Sequence, residues 1–369
     1  MSDTGTDVSL QSRVRGCLLS GAIGDALGAP VEFDSLAAIR ARYGPAGVTG
    51  LVTGGDGAVG LITDDTQMTL FTVEGLIRAR VGERERGTGG ALVHVVRHAY
   101  LRWLDTQLHF SPPPADEPVR TGWLREQTWL YARRAPGNTC MSGLHSEFPG
   151  PAALGEPGPV NPGSKGCGTV MRSAPFGLAA PDARTAFRNA AECAQITHGH
   201  PTGYLAAGAF AAIVFSLAQG EPLDRAVSGA VGLLTEHPGH EETGDRLRQA
   251  LDLAAGADPA PETVERLGGA WVAEEALAIA VYAALSASSF AEGVLAAVNH
   301  GGDSDSTGAI AGNLLGVMLG DEAMPAPWRD GLELREEIES LADDWIRCFW
   351  SDERIDVSAP AWWSRYPGW

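Results

Sequence analysis

Two short stretches gather oxygen ligands more densely than an ordinary surface does. In NHGGDSDSTGAIAGNLLGVMLG, Asn299 to Gly320, two carboxylates and adjacent hydroxyls fall between Asp303 and Thr307, immediately before apolar, glycine-studded sequence. In GLITDDTQMTLFTVEGL the same chemistry recurs as Thr63, Asp64, Asp65 and Thr66. Both sets offer hard oxygen donors of the kind that hold Mg²⁺ or Mn²⁺, and neither includes the His or Cys expected around zinc. A lone Asp or Ser at such a position reads as a helix cap. Two carboxylates with neighbouring hydroxyls exceed what one cap requires, and both sets precede helical runs whose positive dipole ends favour anions. If the two helix starts meet, four Asp side chains share one place, and a divalent cation is the natural relief of their repulsion.

Other motif readings fit less well. DSDST matches the D-x-D-x-T nucleophile motif of haloacid dehalogenase phosphatases, which must end a buried strand, whereas NHGG precedes it here. As a calcium loop, Asp303, Asp305, Thr307 and Gly308 fill positions one, three, five and six, but Leu314 stands where a Glu is required. DDTQM resembles the DDxxD of isoprenoid synthases, with Met68 in place of the last Asp. GPVNPGSK, Gly158 to Lys165, misorders a phosphate-binding loop and has no strand before it.

The elements that must position these groups are helical. Alanine, leucine and glycine fill segments near 12–28, 65–80, 90–105, 182–218, 222–236, 244–254, 272–286, 290–299 and 307–320, and alternating β-branched runs are scarce. An all-α fold is predicted. Gly308, Gly312, Gly316 and Gly320 recur every four residues and form a flat ridge on one helix face. Each costs roughly 1 kcal/mol against alanine in a helix interior, which close backbone packing must offset, so this helix is predicted to be central. Pro/Gly-rich Ser111 to Pro118 and Phe148 to Gly163 read as loops that shape one side of the site. Residues 1–369 read as a single domain, with a core at 13–320 and an extension at 321–369 packed on it, rich in tryptophan from Trp328 to Trp369.

With 369 residues and 44% hydrophobic content, the chain is globular. A net charge of −19 opposes bulk nucleic-acid binding. MSDTGTDVSL lacks the basic and apolar regions of a signal peptide, and the apolar run Gly203 to Ala218 falls short of roughly 20 residues. Cys17, Cys140, Cys167, Cys193 and Cys348 are scattered and odd in number, as free thiols of a reducing compartment would be. These features predict a soluble, cytoplasmic protein without a membrane partner, and an arginine-rich composition of bacterial type. They leave the oligomeric state open.

Six segments in order resemble the ADP-ribosylglycohydrolase family, relatives of dinitrogenase reductase-activating glycohydrolase. They are GCLLSGAIGDALGAPVEF, ITDDTQMTL, GNTC at Gly137 to Cys140, SKGCGTVMRSAPFGL at Ser164 to Leu178, THGHPTGYLAAGAFAAIV at Thr197 to Val214, and HGGDSDSTGAIAGNLLG. The resemblance implies a compact orthogonal helical domain with a dinuclear cleft, in which two Mg²⁺ or Mn²⁺ ions serve cleavage of the bond between the distal ribose of ADP-ribose and an acceptor. Such a reaction passes through an oxocarbenium-like transition state. By resemblance, the ligands are Thr63, Asp64, Asp65, Asp303, Asp305 and Ser306, and Glu32 reaches the metals from a loop. The general base is Glu32 or one of Asp64 and Asp305. Gly166 and Gly168 let backbone amides approach a diphosphate, Ser164 adds a hydroxyl, and Lys165, the only lysine, sits in the same loop. Cys167 occupies a place where relatives can carry Asn, and packing is its expected role. His198 matches the family's histidine near ADP-ribose, whereas His198 and His200 as a bare pair would be structural. His94 and His98 lack the HExxH glutamate and read as a solvated helix face. The implied substrate is ADP-ribose on a protein, with arginine the favoured acceptor over serine, an O-acetyl ester or a nucleic-acid end. A silent ADP-ribose-binding relative and a Mg²⁺-dependent isoprenoid-type diphosphate lyase are the alternatives.

Overall fold

The computed structural model describes residues 8–54, 57–87, 89–256, 260–350 and 359–368. The signal-peptide reading of the first seven residues, and Trp369, lie outside the described residues. The chain opens with α1 (Leu10–Gly28), α2 (Leu36–Tyr43), α3 (Asp64–Arg86) and α4 (Leu92–Leu108). Short α5 (Asn138–His145) and α6 (Ala174–Ala179) lead to α7 (Ala183–Ala194), α8 (Pro201–Ala218), α9 (Leu223–Leu234) and α10 (Glu241–Ala254). There follow α11 (Pro261–Val264), α12 (Ala273–Ser286), α13 (Phe290–Val298) and α14 (Ser304–Leu319). The C-terminal end adds α15 (Ala326–Asp330), α16 (Arg335–Phe349) and α17 (Pro360–Arg365). Among the described residues β-structure is limited to three isolated bridges. The protein is all-α.

The run predicted as one helix over 182–218 is two. Asp182 caps α7, its carboxylate accepting from Thr185 N at 2.7 Å. After Ala194 the chain turns, and α8 restarts with Pro201 at a position whose missing N–H costs nothing. The His200 ring nitrogen Nδ1 accepts from Thr202 N at 3.2 Å, so this histidine is a cap. By length and composition α8 could cross a membrane, which the apolar run alone did not predict, yet 78% of it is buried inside the protein. The solvated-face reading of His94 and His98 holds only for the first. His94 is exposed, whereas His98 is buried beneath it, ring centroids 4.2 Å apart, and burial pulls its pKa down to about 4.

The joint that matters for the site is between α1 and α14, which run antiparallel in backbone contact. A Cβ on Gly308, Gly312 or Gly316 would collide with the backbone carbonyl of Gly24, Ser20 or Gly16 respectively. The first helix has its own ridge, because a Cβ on Gly16, Gly24 or Gly28 would strike the backbone at Gly316, Gly308 or Ser304. Gly320 ends the ridge, where a Cβ would meet the Ser12 hydroxyl of α1 instead of its backbone. It is the C-cap of α14 with φ +80, a conformation in which a side chain is strained. Arg13 reaches across to satisfy the end of α14, donating from Nη1 to the Val317 carbonyl at 2.8 Å. The C-terminal α16 lies on α1 and α3. Arg15 Nε donates to Asp343 at 2.8 Å, Arg84 Nη2 donates to the Cys348 carbonyl at 2.9 Å, and Trp345 is fully buried.

Candidate active site

Because α1 and α14 are antiparallel, the C-terminal end of one lies beside the N-terminal end of the other, with Gly28 against Ser304. A single 3-10 turn, Ala29–Val31, then delivers Glu32. Across from it Asp303 is the N-cap residue of α14 but makes no capping bond, and its carboxylate lines the cleft instead. Carboxylate oxygens of Glu32, Asp303 and Asp305 lie within 4.8 Å of one another. The start of α3 joins them from a third direction. Thr63 caps that helix by accepting from Asp65 N at 3.2 Å, and so turns Asp64 and Asp65 into the same cleft.

One residue that sequence reading missed fixes this third direction. Asp25, fully buried in the last turns of α1, accepts from Thr63 N at 3.0 Å, from Thr66 N at 3.2 Å and from the Thr66 hydroxyl. It ties the α3 start to the glycine joint. Its only signal was a lone carboxylate inside the apolar run GAIGDALGA. Burial outweighs these hydrogen bonds and pushes the Asp25 pKa up to about 6.

The convergence leaves negative charge uncompensated. A cavity of about 320 Å³ is lined by Glu32, Asp64, Asp65, Asp303, Asp305 and Ser306, and neither Arg nor Lys is among its lining residues. Burial, then like charges, raise Asp65 and Asp305 well above the usual carboxylate range, and burial does the same to Asp64. Glu32 is pushed up to about 8 by burial, Asp303 and Asp25. Asp65 Oδ2 is buried without a hydrogen-bond partner. An orphaned oxygen among crowded carboxylates is the arrangement that hard divalent cations resolve.

The rest of the wall comes from 135–140, Gly166, Cys167, Gly168, Met171, His198, Phe33 and Trp271. None of it comes from Ser111 to Pro118 or Phe148 to Gly163, the loops predicted to shape the site. The Gly166–Gly168 turn is held by main-chain bonds to the start of α12 and the segment before it, with Ala273 N donating to the Lys165 carbonyl at 2.8 Å and Cys167 N to the Trp271 carbonyl at 3.3 Å. Ser164 stands behind it, its hydroxyl 3.1 Å from that of Thr139. Thr63 and Ser164 are not on the cavity wall.

Lys165 also points elsewhere. Its ammonium is 2.5 Å from Glu274 and 2.7 Å from Glu242, bracing the turn against α12 and α10. Cys167 Sγ lies 2.7 Å from Asp303 Oδ2, and burial reinforced by Asp303 holds this thiol well above its usual range, which suits a protonated packing group and not a nucleophile. At the mouth, Phe33 and Trp271 are exposed and stacked, centroids 5.5 Å apart and planes 20° apart. A larger hollow of about 700 Å³, between α3, α4, α7 and Trp350, has no such cluster of carboxylates. Chemistry, not volume, marks the site.

The ADP-ribosylglycohydrolase family model matches residues 6–354. The chain is 26% identical over 344 residues to ADP-ribosyl-dinitrogen reductase glycohydrolase of Rhodospirillum rubrum, covering 90% of this chain and 95% of that protein. It is 24% identical over 339 residues to an ADP-ribosylarginine hydrolase of Pseudomonas putida, covering 90% of this chain and 77% of that protein. Among solved structures, an ADP-ribosylglycohydrolase-related protein complex superposes with a TM-score of 0.63 at 25% identity, covering 92% of this chain and 98% of that one.

Proposed function

Since this chain belongs to the ADP-ribosylglycohydrolase family and is a hydrolase of glycosyl bonds, we propose that it releases ADP-ribose from an arginine side chain of a modified protein with the help of two Mg²⁺ or Mn²⁺ ions. The observation that carries this reading is the acidic wall, five carboxylates from three segments around one cavity with no cationic side chain on it. Asp64, Asp65, Asp303, Asp305 and Ser306 would hold the cations, and Glu32 would reach them from the turn after α1. Thr63 serves the set through its cap on α3. The chemistry such a pair supplies is Lewis-acid polarisation of ribose hydroxyls and of the attacking water.

The chain's own groups do the rest. Cleavage at an anomeric carbon needs a proton for the leaving nitrogen or taken from water. Glu32, half-buried at the cleft with its carboxylate beside those of Asp303 and Asp305, is the group placed to exchange that proton. The Gly166–Gly168 turn and His198 supply donors for the anionic part of the substrate. The stacked Phe33 and Trp271 offer a flat apolar surface at the mouth, and a planar guanidinium is a group that stacks on such rings.

The test is ADP-ribose release from ADP-ribosylated arginine, ADP-ribosylated serine and O-acetyl-ADP-ribose, with Mg²⁺, Mn²⁺ or chelator, beside Asp303→Asn. Release from arginine that needs metal and disappears in the variant is expected. Turnover that survives chelation overturns the metal assignment, and turnover of serine or ester alone overturns the acceptor.

A further inference from the structure

His198 is the one imidazole on the cavity wall. Its two ring nitrogens face different surroundings. Nδ1 points back into the protein, 2.8 Å from Thr197 Oγ1. Nε2 has no hydrogen bond to any described residue, and it lies over the glycine turn. A Cβ on Gly166 would sit 3.2 Å from Nε2, and one on Gly168 would sit 3.5 Å from it. Side chains at either position would crowd this nitrogen. The two glycines therefore keep it open to the cavity.

Which nitrogen carries the proton is decided one step further in. Arg172 Nη2 lies 2.6 Å from Thr197 Oγ1, and a guanidinium can only donate. The threonine oxygen is thus an acceptor towards Arg172, and its single hydrogen remains to be placed. His198 Nδ1 at 2.8 Å is a better acceptor position than the Ala194 carbonyl at 3.4 Å. The hydroxyl donates to Nδ1, Nδ1 is therefore the bare nitrogen, and a neutral ring must carry its hydrogen on Nε2. Burial and the nearby guanidinium favour the neutral ring, holding the His198 pKa down to about 3.

Arg172 is placed so that this donation is not diverted. It is 1% exposed, makes no ion pair among the described residues, and is gripped from its other sides. Its guanidinium carbon lies 4.4 Å over the Tyr100 ring, while Nη1 meets Met68 Sδ and Cys140 Sγ, both at 3.4 Å. Sulfur is a weak acceptor, which leaves the threonine hydroxyl as the strongest acceptor of this buried cation. The acidic wall thus faces a wall backed by an unneutralised positive charge.

We propose that Arg172 and Thr197 are positioning residues that fix His198 as the Nε2–H tautomer, so that it donates a hydrogen bond to an anionic oxygen of the substrate, a diphosphate oxygen. The choice of diphosphate rests on the ADP-ribosyl reading given above; the tautomer does not. The substrate then lies with its hydroxyl-bearing ribose on the carboxylates and its diphosphate across the cavity on the glycine turn.

Two measurements separate these parts. In ¹H–¹⁵N multiple-bond spectra of the ligand-free protein at pH 7, with the His198 signals identified by their loss in His198→Asn, a protonated Nε2 and a bare Nδ1 are expected. A protonated Nδ1 overturns the relay. In Thr197→Val the single tautomer should give way to a mixture, with ADP-ribose binding weakened by the inverse of the remaining Nε2–H fraction, about two- to tenfold, and KM rising more than kcat falls. Thr197→Ser should restore both the spectrum and the affinity. Binding by Thr197→Val as tight as by the unaltered protein overturns the link from relay to ligand. If the unaltered protein shows the Nε2–H spectrum but does not bind ADP-ribose, the relay stands and the hydrolase reading fails.

Discussion

Helix α3 carries buried acid at two places, and the two are treated in opposite ways. Nine residues, or roughly 13.5 Å, separate Asp65 at its start from Glu74 in its middle. Glu74 is completely buried, with Oε1 2.9 Å from Arg78 and Oε2 2.5 Å from Arg102. Those arginines are satisfied in turn, Arg78 by the carbonyls of Thr121 at 2.9 Å and Pro367 at 2.8 Å, and Arg102 by Val119 at 2.9 Å. The cluster closes on itself and holds the C-terminal end against α3. At Asp64 and Asp65 the fold brings further carboxylates and no cation. A buried charge that the protein neutralises is architecture, whereas one left unneutralised is a place for something from outside.

The comparison can be broken by mutation. Glu74→Ala strands two buried guanidinium groups and should cost about 3–5 kcal/mol in urea unfolding. Asp65→Asn removes one of several mutually repelling carboxylates and should leave the stability of chelated protein unchanged or higher. Equal destabilisation by the two substitutions would erase the distinction.

Cation binding should be worth less than Glu74 but still measurable. At a hundred times its Kd, Mg²⁺ or Mn²⁺ should stabilise the native state by about 2.7 kcal/mol over chelated protein. The pH dependence has a definite sign. Carboxylates with folded pKa values above their unfolded values bind protons more tightly when folded, so the chelated protein loses stability as pH rises through the folded values. For Glu32 that window runs from the ordinary 4.5 to about 8. Protons and cations compete for the same oxygens, so the stabilisation by metal should shrink as pH falls from 8 to 5 in calorimetric scans. A shift independent of pH would place the cation elsewhere.

Lys165 gives the smallest expected effect. If its pairs with Glu242 and Glu274 put it in the neutralised class, Lys165→Met should destabilise by about 1–2 kcal/mol, and Lys165→Arg by less. ADP-ribose affinity should change only as far as the Gly166–Gly168 turn loosens. A loss of binding without loss of stability would return this lysine to the ligand.

What sequence made legible follows the same division. The acidic sets at Thr63 to Thr66 and Asp303 to Thr307 could be read because several ligands stand together in the chain, and the spacing of Gly308, Gly312 and Gly316 because a helix repeats them on one face. Asp25, Arg172 and Thr197 could not, since each is a single polar residue whose meaning comes from a partner far along the chain, such as Arg172 against Tyr100. Lys165 stands out in the sequence by its rarity, which marks a residue without saying which way its side chain points; in the structure it points to Glu242 and Glu274. The fused helix over 182–218 came from following apolar content past His200 and Pro201, whose cap and missing N–H begin a new helix.

The glycine joint also has a metrological consequence. Where side chains separate two helices, each substitution resets the gap between them. Between α1 and α14 the spacer is the main chain itself, at Gly16 against Gly316, Ser20 against Gly312 and Gly24 against Gly308. The separation of Glu32 from the Asp303–Ser306 turn is therefore gauged by main-chain contact and not by the size of side chains between the helices. A chain built on such a gauge block can exchange most of its other residues and still deliver the same two edges of the cleft to the same place.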